Sequence, residues 1–238
     1  RDQPRSRGLG DVYKRQGLFM AWIRIKGIGW NYLNKFKGKE AAWRFGQEVF
    51  AQFSRVTIKV VGMDIHVKGK ENIPEGTCVF MGNHQSILDI PVLRNSAGRT
   101  IDFVAKKELL KVPVVGYWIS HINSVALDRE NPREGIKAIS KAVENVKEGY
   151  TFAVFPEGTR NGIEKGEKVK DGAAFFAVRT GAKVIPVGIS GGEKPFKQMT
   201  IRYGKPMDFS DRDKNDKEEL DKITEEIMEE IIKLSKEK

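Results

Sequence analysis

The run Gly82-Asn83-His84-Gln85-Ser86-Ile87-Leu88-Asp89 carries the two side-chain types that base catalysis needs. A carboxylate bonded to one imidazole nitrogen fixes the tautomer and stabilises the imidazolium. The other nitrogen is then left to accept a proton. Asp89 follows His84 by five residues, near enough to curl back to the ring across a short turn. Ser86 is expected near the start of the short helix that follows. No serine nucleophile is required if the base activates a hydroxyl on the substrate. The competing reading is a strand-end histidine in a structural hydrogen bond. His66 and His121 have no comparable acidic partner and are read as structural.

A second candidate is Phe155-Pro156-Glu157-Gly158-Thr159-Arg160. Gly158 permits close backbone approach to a ligand. Thr159 and Arg160 offer a hydroxyl and a forked cation, a pair suited to phosphate. A plain surface turn with an exposed arginine is the alternative. A third is Val125-Ala126-Leu127-Asp128-Arg129, a strand-like run ending in an acid and a base. Asp128 and Arg129 make a simple ion pair, or Arg129 brings a second guanidinium to the same phosphate. Lys106 is a further candidate cation, although Lys106, Lys107 and Lys111 also fit a solvated basic cluster.

These residues need a frame. Thr77–Gly82, Thr100–Ala105, Thr151–Phe155, Lys183–Ile189 and Met199–Tyr203 read as strands. Asn131-Pro132 is an N-cap followed by proline at the first helical position, and Gly149 ends that helix. Leu220, Ile223, Ile227, Ile231 and Leu234 stripe a charged final helix. Strands alternating with helices predict an α/β fold with a central, mostly mixed sheet flanked by helices. His84 and the Phe155–Arg160 run each follow a buried strand. They are therefore expected at one sheet edge, where open α/β sheets place ligands.

Before this frame lies a different pattern. From Gly17 to about Lys37, Leu18, Trp22, Ile25, Gly29, Leu33 and Phe36 share a helical face, and Phe19, Ile23 and Trp30 widen it. Arg24, Asn31 and Lys35 lie opposite, with Lys26 and Lys37 at the flank. Aromatic rings edged by basic residues suit a helix lying in a membrane interface. A core-packing helix with ordinary surface lysines fits the same spacing. A second helix from about Glu40 to Val60, with Trp43, Phe50 and Phe53 on one side, completes a hairpin across Lys37-Gly38-Lys39. Residues 1–16 mix arginine with turn formers and are set aside as a cloning scar or disordered tail. The expected division is that tail, a two-helix membrane motif at 17–60, and an α/β domain at 61–238.

The 238 residues carry a net charge of +10, and residues 17–210 alone carry +11. A basic body of this kind needs an anionic partner: nucleic acid, a lipid surface, a phosphorylated metabolite or an acidic carrier protein. A single cysteine, Cys78, excludes an intrachain disulfide framework and a cysteine-rich zinc site. No uncharged apolar run reaches the length of a transmembrane helix.

Asn83-His84-x4-Asp89, followed some seventy residues later by Phe155-Pro156-Glu157-Gly158-Thr159-Arg160, resembles the glycerolipid acyltransferases, and among them the bacterial enzymes that acylate lysophosphatidate. Asp128-Arg129 resembles the family's second block and Val184-Ile185-Pro186-Val187-Gly188 its fourth. Lys170-Asp171-Gly172-Ala173-Ala174-Phe175 is similar to the helix start after the third, with Asp171 departing from the expected residue. The resemblance covers about residues 17 to 210.

It implies acyl transfer from a thioester to the sn-2 hydroxyl of 1-acylglycerol-3-phosphate, giving phosphatidic acid. His84 is then the general base and Asp89 its orienting partner. Glu157, Gly158, Thr159 and Arg160 form the glycerol-phosphate site, with Asn83, Lys106 and Arg129 as further substrate contacts. Backbone N–H groups near Gly158 or Asn83 would serve the oxyanion. The implied partners are lysophosphatidate, acyl-CoA or an acyl carrier protein, and an anionic membrane surface, with no metal or other cofactor. The N-terminal helices would dock on the cytoplasmic face of the inner membrane through Phe19, Trp22, Trp30 and Phe36 beside Arg24, Lys26, Lys35 and Lys37. Rival readings are acylation of glycerol-3-phosphate at sn-1 or of another lyso-lipid, a non-catalytic lipid-surface protein, and a basic nucleic-acid-binding domain. The last lacks any helix-turn-helix, zinc-finger or RNP signature.

Overall fold

The computed structural model describes residues 4–128, 130–158, 160, 162, 172–191 and 198–237, with side chains from Gly17 onward except Leu18. Two long helices, α1 (Pro4–Phe36) and α2 (Lys39–Val61), form a hairpin. There follow β1 (Asp64–Lys68), β2 (Cys78–Gly82), α3 (Asp89–Ser96), β3 (Asp102–Lys106), α4 (Val115–Ile119), β4 (Val125–Leu127) and α5 (Pro132–Lys147). The chain continues through β5 (Phe152–Val154), α6 (Gly172–Thr180), β6 (Lys183–Gly191), β7 (Gln198–Tyr203) and α7 (Lys217–Lys236). Helix α1 takes in residues 4–16, which the sequence pattern leaves outside the fold. β1, which contains His66, is a strand that the pattern does not signal, because it is short and mostly exposed.

The seven strands form one mixed sheet in the order β1-β7-β6-β2-β5-β3-β4. β2 pairs in parallel with β5 and β6, and β3 with β5 and β4. β7 runs antiparallel to β6, and β1 runs parallel to β7. The C-terminal ends of β2, β3, β4, β5 and β6 therefore share one edge of the sheet.

β2 shows why the centre reads as an unbroken apolar run. Its side chains alternate between two cores. Val79 and Met81 face the layer of α5, α6 and α7, with Phe176, Ile223 and Ile227. Cys78 and Phe80 face the layer of α2 and α3, with Leu93, Ile185 and Tyr203. Gly188 on β6 is required by contact: a Cβ there would lie 2.3 Å from the carbonyl carbon of Leu234, because α7 lies directly on the strand. Asn131 caps α5 as its spacing predicts, accepting from the N–H of Glu134.

The hairpin is joined to this frame by its own core of Ile23, Val49 and Trp118, with Phe19, Trp22, Trp30, Phe45 and Phe53 packed around it. Phe19 stacks on Phe53 with centroids 6.1 Å apart, and Trp30 meets His121 edge-on at 4.3 Å. Three of the four aromatics expected to face lipid, Phe19, Trp22 and Trp30, thus pack inward. Their spacing was right for one face, but that face is the one that meets α2 and α4. Ile25, Ile28, Tyr32 and Phe36 are the large apolar residues of α1 left exposed, each at 58% or more. Arg24 lies over Tyr117, Lys26 over Trp22 and Lys35 over Phe36, while Lys37 is exposed. No helix among the described residues is long and apolar enough to cross a membrane.

Candidate active site

β2 ends at Gly82, and the chain turns through Asn83-His84-Gln85-Ser86 into α3, whose first residue is Asp89. The carboxylate at this helix start folds back over the turn. Its Oδ2 accepts from the N–H of Gln85 at 2.7 Å, the N–H of Ser86 at 2.8 Å and His84 Nδ1 at 2.8 Å. Two backbone donors already aim at Oδ2, so the ring must also donate to it. Nδ1 carries the proton, and the Nε2 lone pair is left to act as a base. Asp89 is fully buried, and the His84 side chain is 16% exposed. A charge-assisted bond of this kind in a dry site is stronger than a neutral one.

Two further contacts fix the histidine. Its ring stacks on Phe155 with centroids 4.4 Å apart and an interplanar angle of 24°. Its backbone N–H donates to Glu157 Oε1 at 2.9 Å. β5 neighbours β2, so the loop after β5 arrives beside the loop after β2, as the two buried strands predict. Glu157 is 4% exposed and links the two loops.

The remaining sequence-predicted residues divide. Asn83 is buried and holds β6. Its Nδ2 donates to the carbonyl of Ile189 at 2.8 Å, and its Oδ1 accepts from the N–H of Ile189 at 2.7 Å. These two bonds anchor the side chain to β6. Gly158 takes a left-handed φ of 69°, and its N–H donates to the carbonyl of Phe155 at 2.9 Å. That N–H closes the turn, which removes it as an oxyanion donor. Arg160 is exposed at the end of this loop. Lys106 closes β3 at the same sheet edge and is exposed.

Asp128 pairs with Lys107 at 2.8 Å and accepts from the N–H groups of Glu130 and Asn131. The Lys107 bond, then the backbone bonds, hold its carboxyl below the ordinary range. Arg129, Thr159, Lys170 and Asp171 lie outside the described residues. His66 proves to have an acidic neighbour, Asp64, at 3.0 Å across an exposed strand. The β1 alternation puts the two on one face, a pairing that becomes visible only once the strand is known. His121 bonds the carbonyl of Tyr117 and stacks on its ring.

The turn that carries the dyad also borders a space that no sequence pattern marks. An apolar cavity of about 260 Å³ is walled by Val49, Phe50 and Phe53 of α2, Phe103 and Ala105 of β3, and Trp118 of α4. Ile87 and Leu88, within the His84–Asp89 turn, line it as well. No group of three or more metal-ligating side chains occurs among the described residues.

Three comparisons bear on this geometry. The family model described as Acyltransferase matches residues 64–190, which contain both loops. A 1-acyl-sn-glycerol-3-phosphate acyltransferase of Pseudomonas aeruginosa is 31% identical over 185 residues, 75% of this chain and 72% of that protein. A chloroplastic 1-acyl-sn-glycerol-3-phosphate acyltransferase of Brassica napus is 36% identical over 130 residues, but this match spans only 38% of the plant protein's length. The crystal structure of the 1-acyl-sn-glycerophosphate acyltransferase from Thermotoga maritima superposes with a TM-score of 0.69 at 27% identity, covering 93% of this chain and 95% of that one. With the buried His84–Asp89 pair at the sheet edge, the glutamate-linked loop beside it and these matches, the chain belongs to the glycerolipid acyltransferase family.

Proposed function

We propose that the protein transfers a fatty acyl group from an acyl thioester to the sn-2 hydroxyl of 1-acylglycerol-3-phosphate. The observation that carries this reading is the His84–Asp89 pair with Nε2 left open as a base, held on a turn whose Ile87 and Leu88 line an apolar cavity. His84 Nε2 accepts the hydroxyl proton as the oxygen attacks the thioester carbonyl. Collapse of the tetrahedral intermediate expels the thiolate, which takes the proton back from the imidazolium. The products are phosphatidate and a free thiol. Asp89 stabilises the imidazolium between the two steps. The cavity takes an acyl chain, and Arg160, with Thr159 and Arg129, grips the phosphate. Clamping the acceptor turns a bimolecular encounter into a positioned one, worth several kcal/mol at least, on the order of the ~7–11 kcal/mol seen for ideal alignment. The chemistry runs on these side chains and calls on no cofactor.

Lysophosphatidate resides in a bilayer, so the site must reach one. The exposed Ile25, Ile28, Tyr32 and Phe36, with Arg24, Lys35 and Lys37, give α1 an apolar and basic surface suited to an anionic lipid face. The protein is then monotopic, on the cytoplasmic face of the inner membrane, where acyl-CoA or acyl carrier protein supplies the chain. Relatives named 1-acyl-sn-glycerol-3-phosphate acyltransferases support this acceptor over others. The test is a panel of acceptors with one acyl-CoA donor: lysophosphatidate, glycerol-3-phosphate and lysophosphatidylcholine. Preference for lysophosphatidate by tenfold or more in kcat/KM is expected. Preference for either of the others would replace this reading.

A further inference from the structure

Asp102 opens β3 and is 1% exposed, a carboxylate inside the fold and away from the catalytic edge. Its Oδ1 accepts from Gln47 Nε2 at 2.8 Å, and its Oδ2 accepts from Trp43 Nε1 at 3.2 Å. The backbone N–H of Asn123 is a third donor. Arg94 of α3, also buried, donates to the carbonyl of Gln47 at 3.2 Å. Burial alone would push the carboxyl far up. The donors and Arg94 oppose that, and the balance leaves it at about 7. A group so costly to bury persists where it fixes one arrangement of the elements around it.

Those elements are the walls of the apolar cavity. Phe103 follows Asp102, Val49 and Phe50 follow Gln47 on α2, and Ile122 precedes Asn123; all four line the space. Ser124, also in the lining, accepts from the N–H of Phe103 at 2.9 Å. Ile87 and Leu88 line the opposite end, beside the base. The strand register gives the depth. Asp102 is level with Phe152, and Phe152 with Val79, five residues before His84. At about 3.3 Å per residue the clamp lies ~10 Å below the end of β2 at Gly82, and His84 stands in the turn beyond it. Carbon–carbon bonds of about 1.5 Å, set in a zigzag, make that strand depth alone a fully extended chain of roughly eight carbons.

We propose that Asp102, with Gln47 and Trp43, is a positioning clamp that sets the floor of the cavity and so the acyl chain length that the enzyme accepts. This rests on the cavity being the acyl site, as proposed above. The clamp residues touch no reacting atom. They act by holding α2 against β3.

The experiment measures kcat/KM for acyl-CoA donors of 8 to 18 carbons with lysophosphatidate, using the full chain. Trp43→Phe keeps an aromatic side chain and drops one donor, and Gln47→Leu drops the other. Ala105→Phe fills the cavity without touching the clamp. Asp102→Asn keeps the acceptor for Trp43, and a flip of the Gln47 amide turns its otherwise unpartnered Oε1 to accept from the new N–H, which makes it the conservative rescue for Asp102→Ala. The expected result is a rise of about tenfold in the 16-carbon to 10-carbon ratio for Trp43→Phe, Gln47→Leu and Asp102→Ala. Asp102→Asn should stay near wild type, and Ala105→Phe should shift the preference to shorter chains. If Ala105→Phe shifts the preference while the clamp variants leave the ratio unchanged, or lower all chains equally, the clamp proposal is overturned and the acyl reading stands. If Ala105→Phe leaves the chain profile unchanged, both fall.

Discussion

Replacing Asp89 by asparagine separates charge from geometry in the dyad. Oδ2 faces three donors, so the amide must place its oxygen there; the flipped rotamer would aim N–H at N–H. The ring therefore keeps its hydrogen bond and orientation, and the two backbone N–H groups keep theirs. The amide nitrogen falls where Oδ1 has no hydrogen-bond partner among the described residues, which costs about 1–3 kcal/mol of stability. What catalysis loses is the negative charge beside a developing imidazolium. Two unit charges ~4 Å apart at an effective dielectric of ~20 interact by about 4 kcal/mol. That sets a ceiling of roughly a thousandfold in rate. We expect kcat to fall by ~10²–10³ with the Michaelis constants for both substrates within about threefold of wild type. Thiol release monitored continuously under saturating lysophosphatidate reads this, and a urea melt confirms that the variant is folded. A variant retaining more than about a third of wild-type kcat would refute the argument that Asp89 acts through charge.

Three further outcomes follow from the same geometry. Arg160→Ala should raise the Michaelis constant for lysophosphatidate by about 10- to 150-fold, the loss of a charge-assisted contact worth roughly 1.5–3 kcal/mol, and leave that of the thioester nearly unchanged. Co-sedimentation with anionic vesicles should weaken for Ile28→Glu with Phe36→Glu, both on the exposed stripe, whereas Trp30→Ala should lower stability more than binding because Trp30 packs inward. Asp102, raised from 3.8 to about 7 chiefly by burial and with Arg94 as the charge acting on it, binds its proton more tightly folded than unfolded. Its contribution is full below the unfolded value and is lost as pH rises through the folded one, a span of about 4 kcal/mol at 1.36 kcal/mol per unit. Urea melts from pH 4 to pH 8 should show that slope in the wild type and its disappearance in Asp102→Asn.

The dyad was legible because its parts are close in sequence and each follows from a local rule: a buried strand ends, a turn begins, and an acid at a helix start reaches back. The partnership of the two loops was legible only as a shared sheet edge. That Glu157 is the group that links them depends on β5 lying next to β2, a pairing across more than seventy residues that no local pattern encodes. The bracket that Asn83 makes to Ile189 was hidden for a related reason, since it depends on β6 lying beside β2, more than a hundred residues away in sequence. On α1 the periodicity gathered Phe19, Trp22 and Trp30 on the face that packs, but it put Ile25 and Phe36 there too, and those two are exposed. It had no means of saying whether protein or lipid would cover that face, and α2 and α4 do. The cavity and its Asp102 clamp are assembled from five separate segments and left no trace in spacing at all.

The central claim is that His84 draws the proton from the acceptor hydroxyl. The direct measurement is lysophosphatidate-dependent thiol release from acyl-CoA by the purified wild type and by His84→Ala, with phosphatidate quantified in parallel. Stoichiometric thiol and phosphatidate are expected from the wild type, and a 10²- to 10⁴-fold lower rate from the folded variant. Phosphatidate formation by His84→Ala at near wild-type rate would contradict it.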